Sequence, residues 1–441
     1  MALFGRKKKV APAPEPEVVP ERLPAPPASN EDGLRPWQAH QEYLLSLVDE
    51  LPPFGMHILD ALGLSINEDI ASDIDLPGFD NSAMDGYAVR ADDIWGATEQ
   101  RPTRLAVIGE IAAGEVATES LAPGTAMKIM TGAPVPEGAD TVVQYEATDR
   151  GVDDVQIFAQ LEKGANIRRR GTDITEGEEL VSAGTLIDAR TVGLLAGIGV
   201  DKVMVRPRPR VVVISTGSEL VEPGQPLGPN GELYDSNSYM IAAAAKAAGA
   251  QVFRVGRVGD DPELIKETIS DQLVRADLII TSGGVSQGDY DVVKSVMPEL
   301  GLTDFCQVAM QPGKPQGFGL IGEDRIPMIM VPGNPVSAYV SFEAFVRPVI
   351  RKLMGVMPYR RDSVRCITNT IIRSAPDKMQ FARARVTTDP NGRRTVDLVG
   401  GHSSHLLGNL QRCNALVLLE DGLDVVPAGQ SVQAWMLDDD E

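Results

Sequence analysis

Four loops of this chain each follow a short apolar run and each lead into a segment with helical spacing. They are Ser215-Thr216-Gly217-Ser218-Glu219, Gly259-Asp260-Asp261-Pro262, Ser282-Gly283-Gly284-Val285-Ser286 running on to Asp291, and Pro332-Gly333-Asn334-Pro335. Repeated strand–loop–helix units imply a parallel sheet with crossover helices. The carboxyl ends of such strands share one edge, where ligands bind. Here that edge is glycine-rich and carries several acids, which suits an oxyanion held together with a divalent cation. The expectation is an enzyme. Strands are predicted at Val211–Ile214, Gln251–Val258, Leu278–Thr281 and Met328–Val331. Helices are predicted at Asn237–Ala248, Glu263–Arg275, Val292–Met297 and Val336–Leu353. Ser236 is the expected N-cap of the first helix and Gly249 its stop.

The rest of the chain reads differently. Residues 1–33 hold seven prolines between Pro12 and Pro27 and predict a disordered spacer. Its tip, Arg6-Lys7-Lys8-Lys9, is a solvated end or else a contact for acidic partners or a membrane surface. Trp37–Leu51 has helical apolar spacing and stops before Pro52-Pro53, and a second short helix is expected at His57–Leu62. Short alternating runs between 78 and 177 predict a β-rich domain: Tyr87–Val89, Leu105–Ile111, Met127–Met130, Thr141–Tyr145 and Val155–Ala159. A connecting domain of 58–77 and 178–206 carries a helix at Ala189–Ile198. The α/β core comprises 34–57 and 207–362. From 363 to 441 the pattern is β again, with a hairpin signal at Asp389-Pro390-Asn391-Gly392 and strands at Ala415–Leu419 and Val432–Leu437. The fold class is therefore α/β and β multidomain.

A formal net charge of −21 argues against nonspecific binding to nucleic acid or anionic membranes. An anionic substrate would then need positive character supplied locally, by helix N-termini, amide groups, a cation or a few basic side chains. No apolar run approaches the ~20 residues of a membrane span, and none follows the basic start as a secretory signal requires. Cys306, Cys366 and Cys413 lie far apart, so reduced thiols in a cytoplasmic protein are expected. His402 and His405 lack the companions of a metal site and are expected to be surface or structural.

Within the loops each residue type has two readings. Glu219 faces the crevice or complements a helix dipole. Asp261 precedes Pro262 and is the natural N-cap, leaving Asp260 as the better metal or water ligand. Gly283 and Gly284 offer amide groups for an anion, as many loops do. Lys314 sits in the stiff Gln311-Pro312-Gly313-Lys314-Pro315 loop, as a phosphate contact or a surface turn. Asp80 to Tyr87 is a compact polar loop that Asx-turn chemistry also explains. Arg168-Arg169-Arg170-Gly171-Thr172-Asp173 is the densest cationic patch outside the tail, and an anion contact and a solvated face are equally open.

Together these segments, with Met130-Thr131-Gly132-Ala133-Pro134, resemble bacterial molybdopterin molybdenumtransferases, relatives of the gephyrin C-terminal domain. The resemblance runs from about Leu34 to the C-terminus. It implies a three-layer, molybdopterin-binding-like α/β core and an elongated homodimer with four domains per subunit. Its active cleft would lie between the α/β domain of one subunit and the β-rich domain of the other. The implied reaction joins molybdate to adenylylated molybdopterin with release of AMP and a requirement for Mg2+. By resemblance, Asp85, Thr131, Glu219, Asp260 and Asp291 are catalytic, and Glu219 and Asp260 hold the metal. Arg168, Asp173, Thr216, Gly217, Gly283, Gly284, Ser286, Lys314, Pro332, Pro335 and Ser404 shape the substrate site. Some members carry lysine where this chain has Gln307 and Gln311, which removes two cationic groups near the oxyanion. The gephyrin likeness also implies a second role, a dimeric scaffold binding a peptide of a cytoskeletal or cell-division protein.

Overall fold

The computed structural model describes residues 22–229, 231–285, 292–374, 377–401 and 403–438. Ser286, Asp291, His402 and the basic tip of the tail lie outside the described residues. The chain forms two compact units, Pro53–Val205 and the combination of Met1–Pro52 with Arg206–Glu441.

The larger unit is built on a six-stranded sheet. Its order is Gln251–Val258, Arg210–Thr216, Leu278–Ser282, Ile326–Val331, Pro315–Ile321, Gly301–Gln307. The first four strands are parallel, as expected. The last two are antiparallel, which corrects the expectation of a wholly parallel sheet. The link from Ile321 to Ile326 is a tight turn, too short for the crossover that parallel pairing needs.

Successive side chains of a strand point to opposite faces, and here both faces are buried. Val211, Val213, Leu278, Ile280, Ile329 and Val331 join one apolar cluster. Val212, Ile214, Ile279, Met328 and Met330 join another. The helix Asn237–Ala247 and the helical run from Pro335 to Leu353 cover the first face through Ile241, Ala245, Phe345 and Val349. The helices Pro262–Leu273 and Val292–Leu300 cover the second through Ile265, Ile269, Val293 and Met297. This is the three-layer α/β architecture expected.

The N-terminal helix, Trp37–Ser46, ends five residues before the predicted Leu51. Trp37 packs edge-on to Phe381 (5.3 Å) and Trp435 (5.9 Å). Those rings belong to the C-terminal sheet, which closes on itself: Met379–Thr388 pairs with both Arg394–Leu398 and Ala415–Leu419, and Ser363–Thr368 and Ser431–Met436 complete the circuit. Closure leaves a small barrel around Cys366, Ala384, Val417 and Ala434. The hairpin at Asp389 forms as predicted, with the Asp389 carboxylate accepting from the amides of Asn391 and Arg393, both at 2.9 Å. The three cysteines are free.

In the smaller unit the five predicted β runs make one sheet, ordered Thr141–Gln144, Gly86–Val89, Thr125–Ile129, Thr103–Ile111, Asp154–Ile157. The predicted helix at Ala189–Ile198 is present as Ala189–Gly197, capped by Asp188. The predicted helix at His57–Leu62 is absent. Phe54–His57 is instead a strand antiparallel to Lys202–Arg206, followed by turns. A distant partner strand here overrides local helical spacing.

One buried polar group tests how the N-terminal helix docks. His40 is 1% exposed and stacks edge-on to Phe345. Its Nδ1 lies 3.1 Å from the Arg35 guanidinium, which also forks onto Asp304. Since guanidinium only donates, the ring is neutral. Burial, helped by Arg35, lowers the His40 pKa to about 3. The unfolded chain takes up this proton near pH 6.5 and the folded chain does not, so the stability of the larger unit is full above that pH and falls as pH drops towards 3. The expected slope from this group is about 1.4 kcal/mol per pH unit. Urea midpoints measured against pH will fall less steeply for His40→Gln.

Candidate active site

At the carboxyl edge of the parallel strands lies a cleft of about 1470 Å³. Thr216, Gly217, Glu219, Asp260, Gly283, Gly284, Lys314, Pro332, Pro335 and Ser404 all line it. Every described candidate of the larger unit is therefore gathered in one place. Pro315–Ile321 runs antiparallel to the others, so its first residues, with Lys314, come to the same edge.

The loops are shaped by close packing. Gly217 has φ +146°, and a Cβ there would lie 2.6 Å from the Glu219 carboxylate. Glu219 thus folds back over a position that only glycine tolerates. Asp260 accepts from the Ser218 amide (2.9 Å) and from the Ser218 hydroxyl, which ties the second loop to the first. Asp261 caps the following helix through the Leu264 amide (3.0 Å), as the sequence predicts. The Gly283 amide donates to Val331 (3.1 Å), so Gly284 is the glycine of that pair left to face an anion among the described residues. Pro335 opens its helix, whose Val336 amide donates to the Ser404 carbonyl (3.0 Å).

Four residues that hold or line this cleft escape a reading of the sequence. Asp235, 1% exposed, accepts from the hydroxyls of Ser215 (3.0 Å) and Ser238 (2.5 Å) and from the Ser238 amide (3.0 Å). It, and not Ser236, caps the helix Asn237–Ala247, for Ser236 makes no side-chain cap bond. Gly249 ends that helix as predicted, at φ +102°. Asn237 donates to Ser282 Oγ (2.7 Å) and to the Gly333 carbonyl (2.6 Å), bracing two of the loops. Arg383, buried on the outer face of the barrel strand Met379–Thr388, donates to the carbonyls of Gly401, Ser403 and Leu406 and so fixes the loop bearing Ser404. Lys378 enters the cleft wall ahead of strand Met379–Thr388. The only local signals were an acid three residues before Ser238 and a basic residue in an acidic chain. His405 also lines the cleft. Of the two glutamines, Gln311 lines it and Gln307 is not among the lining residues.

As to a metal, Glu219 and Asp260 offer two exposed carboxylates. Among the described residues nothing donates to the Glu219 side chain, and Asp260 shares only Oδ2. No group of three or more His, Cys, Asp or Glu is arranged as a metal cage among the described residues. One or two carboxylates completed by water and substrate phosphate is the ordinary setting of Mg2+, so this donor pair fits it.

In the smaller unit, Asp85 Oδ1 accepts from both the amide and the hydroxyl of Thr131, each at 2.7 Å. The amide bond, seconded by the hydroxyl, holds the Asp85 pKa below the usual carboxylate range, so it is an anion at neutral pH. The next residue must be Gly86, where a Cβ would lie 1.9 Å from the Val143 carbonyl oxygen. The arginine run divides. Arg169 pairs with Asp80 (2.5 Å) and Arg170 with Asp75. Arg168 is exposed and unpaired among the described residues. Asp173 is exposed, its amide donating to Leu76 (2.9 Å).

Three family models match successive parts of the chain: the MoeA N-terminal region (domains I and II) over residues 35–199, a probable molybdopterin binding domain over 212–352, and the MoeA C-terminal region (domain IV) over 365–437. Molybdopterin molybdenumtransferase 2 of Mycobacterium tuberculosis is 43% identical over 92% of this chain and 100% of its own length. Molybdopterin molybdenumtransferase of Haemophilus influenzae is 35% identical over 86% of this chain and 92% of its own. The crystal structure of a molybdopterin biosynthesis MoeA protein from Pyrococcus horikoshii superposes with a TM-score of 0.78 at 30% identity, covering 92% of this chain and 99% of that one. No described helix is long and apolar enough to cross a membrane.

Replacing Asp235 with Ala removes a helix cap and strands the buried Ser215 hydroxyl. A loss of roughly 2 kcal/mol or more is expected, read as a lower urea midpoint of the larger unit. Ser236→Ala, which removes no cap bond, will leave the midpoint close to that of the wild type.

Proposed function

The chain belongs to the molybdopterin molybdenumtransferase family, and on that premise we propose that it inserts molybdate into adenylylated molybdopterin with release of AMP. The observation that carries the reading is the one cleft where glycine turns, exposed carboxylates and lysines meet at one sheet edge. A nucleotide-linked pterin needs such a mixture: amides for phosphate, carboxylates for a cation, and rigid walls to orient the scissile anhydride.

In this reading Gly284, the amino end of the helix from Asn237 and the proline-bracketed turn at Pro332 and Pro335 position the phosphates. Thr216, Gly217, Gly283 and Ser404 complete the walls, and Lys314 offsets phosphate charge. Glu219 and Asp260 would hold Mg2+, which when bound neutralises charge on the leaving phosphate. Asp291 and Ser286 belong to the same proposed set. Asp85, held ionised by Thr131, acts as an acceptor of a proton or a hydrogen bond in the same reaction, and Arg168 and Asp173 contact substrate. A cytoplasmic homodimer is part of the proposal. The scaffold role and a peptide partner gain no support from relatives whose names are those of transferases.

The test is rescue of a strain lacking its own molybdopterin molybdenumtransferase. The wild type will restore molybdoenzyme activity. Asp85→Ala and Glu219→Gln, both folded by circular dichroism, will lower molybdenum insertion by roughly 100-fold or more. Failure of the wild-type gene to rescue would sink the reading.

Chelation checks the metal separately. EDTA will abolish AMP release by the purified protein, and added Mg2+ will restore it. Sedimentation will give the mass of two chains.

A further inference from the structure

The two carboxylates assigned to the cation are carried differently. Asp260 follows Gln251–Val258 directly and is tied to Ser218. Glu219 opens a two-stranded ribbon outside the main sheet, in which Leu220–Val221 pairs with Leu233–Tyr234. The Leu233 amide donates to the Glu219 carbonyl and the Asp235 amide to the Val221 carbonyl, both at 2.9 Å. None of the four paired side chains of the ribbon is buried. A two-stranded ribbon without a buried apolar face is marginal by itself. Other contacts must hold the backbone around Glu219.

Two arginines of the neighbouring edge strand, Gln251–Val258, supply them. Arg257 Nη1 donates to the Leu220 carbonyl (2.7 Å). Arg254 forks onto Glu222, Nη1 to Oε1 and Nη2 to Oε2, each at 2.8 Å. Tyr239, on the helix Asn237–Ala247, donates to the same carboxylate (2.8 Å), and the Arg254 guanidinium lies 4.1 Å from the centre of its ring. A forked and stacked guanidinium holds its partner in one geometry.

The strand is distorted in a way that makes this possible. Residues three apart on a regular strand face opposite sides. Here Val213 pairs with Arg254 but Ile214 pairs with Gly256, so Val255 is an extra residue. The bulge returns Arg254 and Arg257 to one face. Val255 and Val258 accordingly both pack on the second apolar cluster, on the opposite face. Gly256 has φ +86°, and a Cβ there would stand 3.2 Å from Glu222 Oε1. The glycine both turns the strand and leaves room for the carboxylate.

We propose that Arg254 and Arg257 are positioning residues for the reaction: through Glu222 and the Leu220 carbonyl they fix the ribbon, and so the place of Glu219 relative to Asp260. The proposal deepens the transferase reading and rests on it. Neither arginine is among the residues that line the cleft, so each acts through the ribbon. Mg2+ demands near-ideal octahedral geometry, and a Glu219 whose backbone wanders holds it less tightly. The loss therefore falls on metal affinity and not on the chemical step.

Hydrogen exchange and AMP release, both on the full chain, test this together. In Arg254→Ala, Glu222→Ala and the double variant, the Leu233 and Asp235 amides will exchange about tenfold faster, while those of Val212 and Ile280 keep wild-type protection. The double will match the more severe single, because both changes remove the same fork. Arg257→Ala, which cuts a separate tie, will add to either. Arg254 also stands 3.8 Å from Asp235, so Glu222→Ala, which leaves that contact in place, isolates the ribbon from the helix cap. In the same variants the Mg2+ concentration for half-maximal AMP release will rise about tenfold, with the rate at saturating Mg2+ within about twofold of the wild type. Wild-type exchange at Leu233 and Asp235, or faster exchange with an unchanged Mg2+ requirement, would overturn the proposal and leave the transferase reading intact. Absence of AMP release by the wild type would overturn both.

Discussion

Three adjacent parallel strands buried on both faces are the constraint on which this molecule rests. A strand covered on one side can alternate apolar and polar residues; a strand covered on both cannot. Arg210–Thr216, Leu278–Ser282 and Ile326–Val331 are accordingly apolar at successive positions, and their side chains divide between two clusters. Covering both faces requires helices, and right-handed crossovers put each helix after its strand. All the strand-to-helix turns then fall on the same edge. The cleft is a consequence of burial before it is a feature of chemistry.

An edge built from separate loops has to be held together, and short polar side chains do this here. Ser218 links the first loop to Asp260 of the second. Asn237 bridges Ser282 and Gly333. Asp235 sits beneath them, with its three donors all within the same network. Such a network is worth more than its separate bonds only when every member is satisfied. Asn237 is the exception. Its Oδ1 is buried and without a partner among the described residues. Arg383 repeats the arrangement on the barrel side, gathering three carbonyls around the loop of Ser404.

What can be read from the residues follows the range of the forces involved. Gln251–Val258 and Ala415–Leu419 coincide with prediction because apolar runs bounded by turn residues are local signals. Asp261 as a cap and Asp389 as a turn are local as well. The hairpin partner Gly301–Gln307 is not, since Gly301, Thr303 and Asp304 give it no apolar pattern and its pairing with Pro315–Ile321 carries it. His57–Leu62 fails for the same reason, because Lys202–Arg206 claims the adjoining segment as a strand. In the site, glycines and acids after strands announce themselves. Asn237 and Arg383 work through contacts far along the chain, as Asp235 does through Ser215, and Lys378 is an ordinary lysine until folding brings it to the cleft wall. The arginine run shows the converse. Two of its three charges are matched by Asp75 and Asp80 within the same unit, so charge density in a sequence overstates what is free to meet a ligand.

The overall charge bears on how such a cleft meets its substrates. At −21, the chain repels a polyanion at long range, yet over a Debye length of about 8 Å in physiological salt that field is largely screened. Recognition is therefore decided inside the cleft, by groups within a few ångströms. There the two ends are of opposite kind, carboxylates at one and lysines at the other. A site of uniformly positive sign would hold any polyanion tightly. Opposed ends instead leave an anion to be held by only part of the lining. On this argument the acidic surface and the mixed cleft belong together: weak capture at distance is matched by selection at contact.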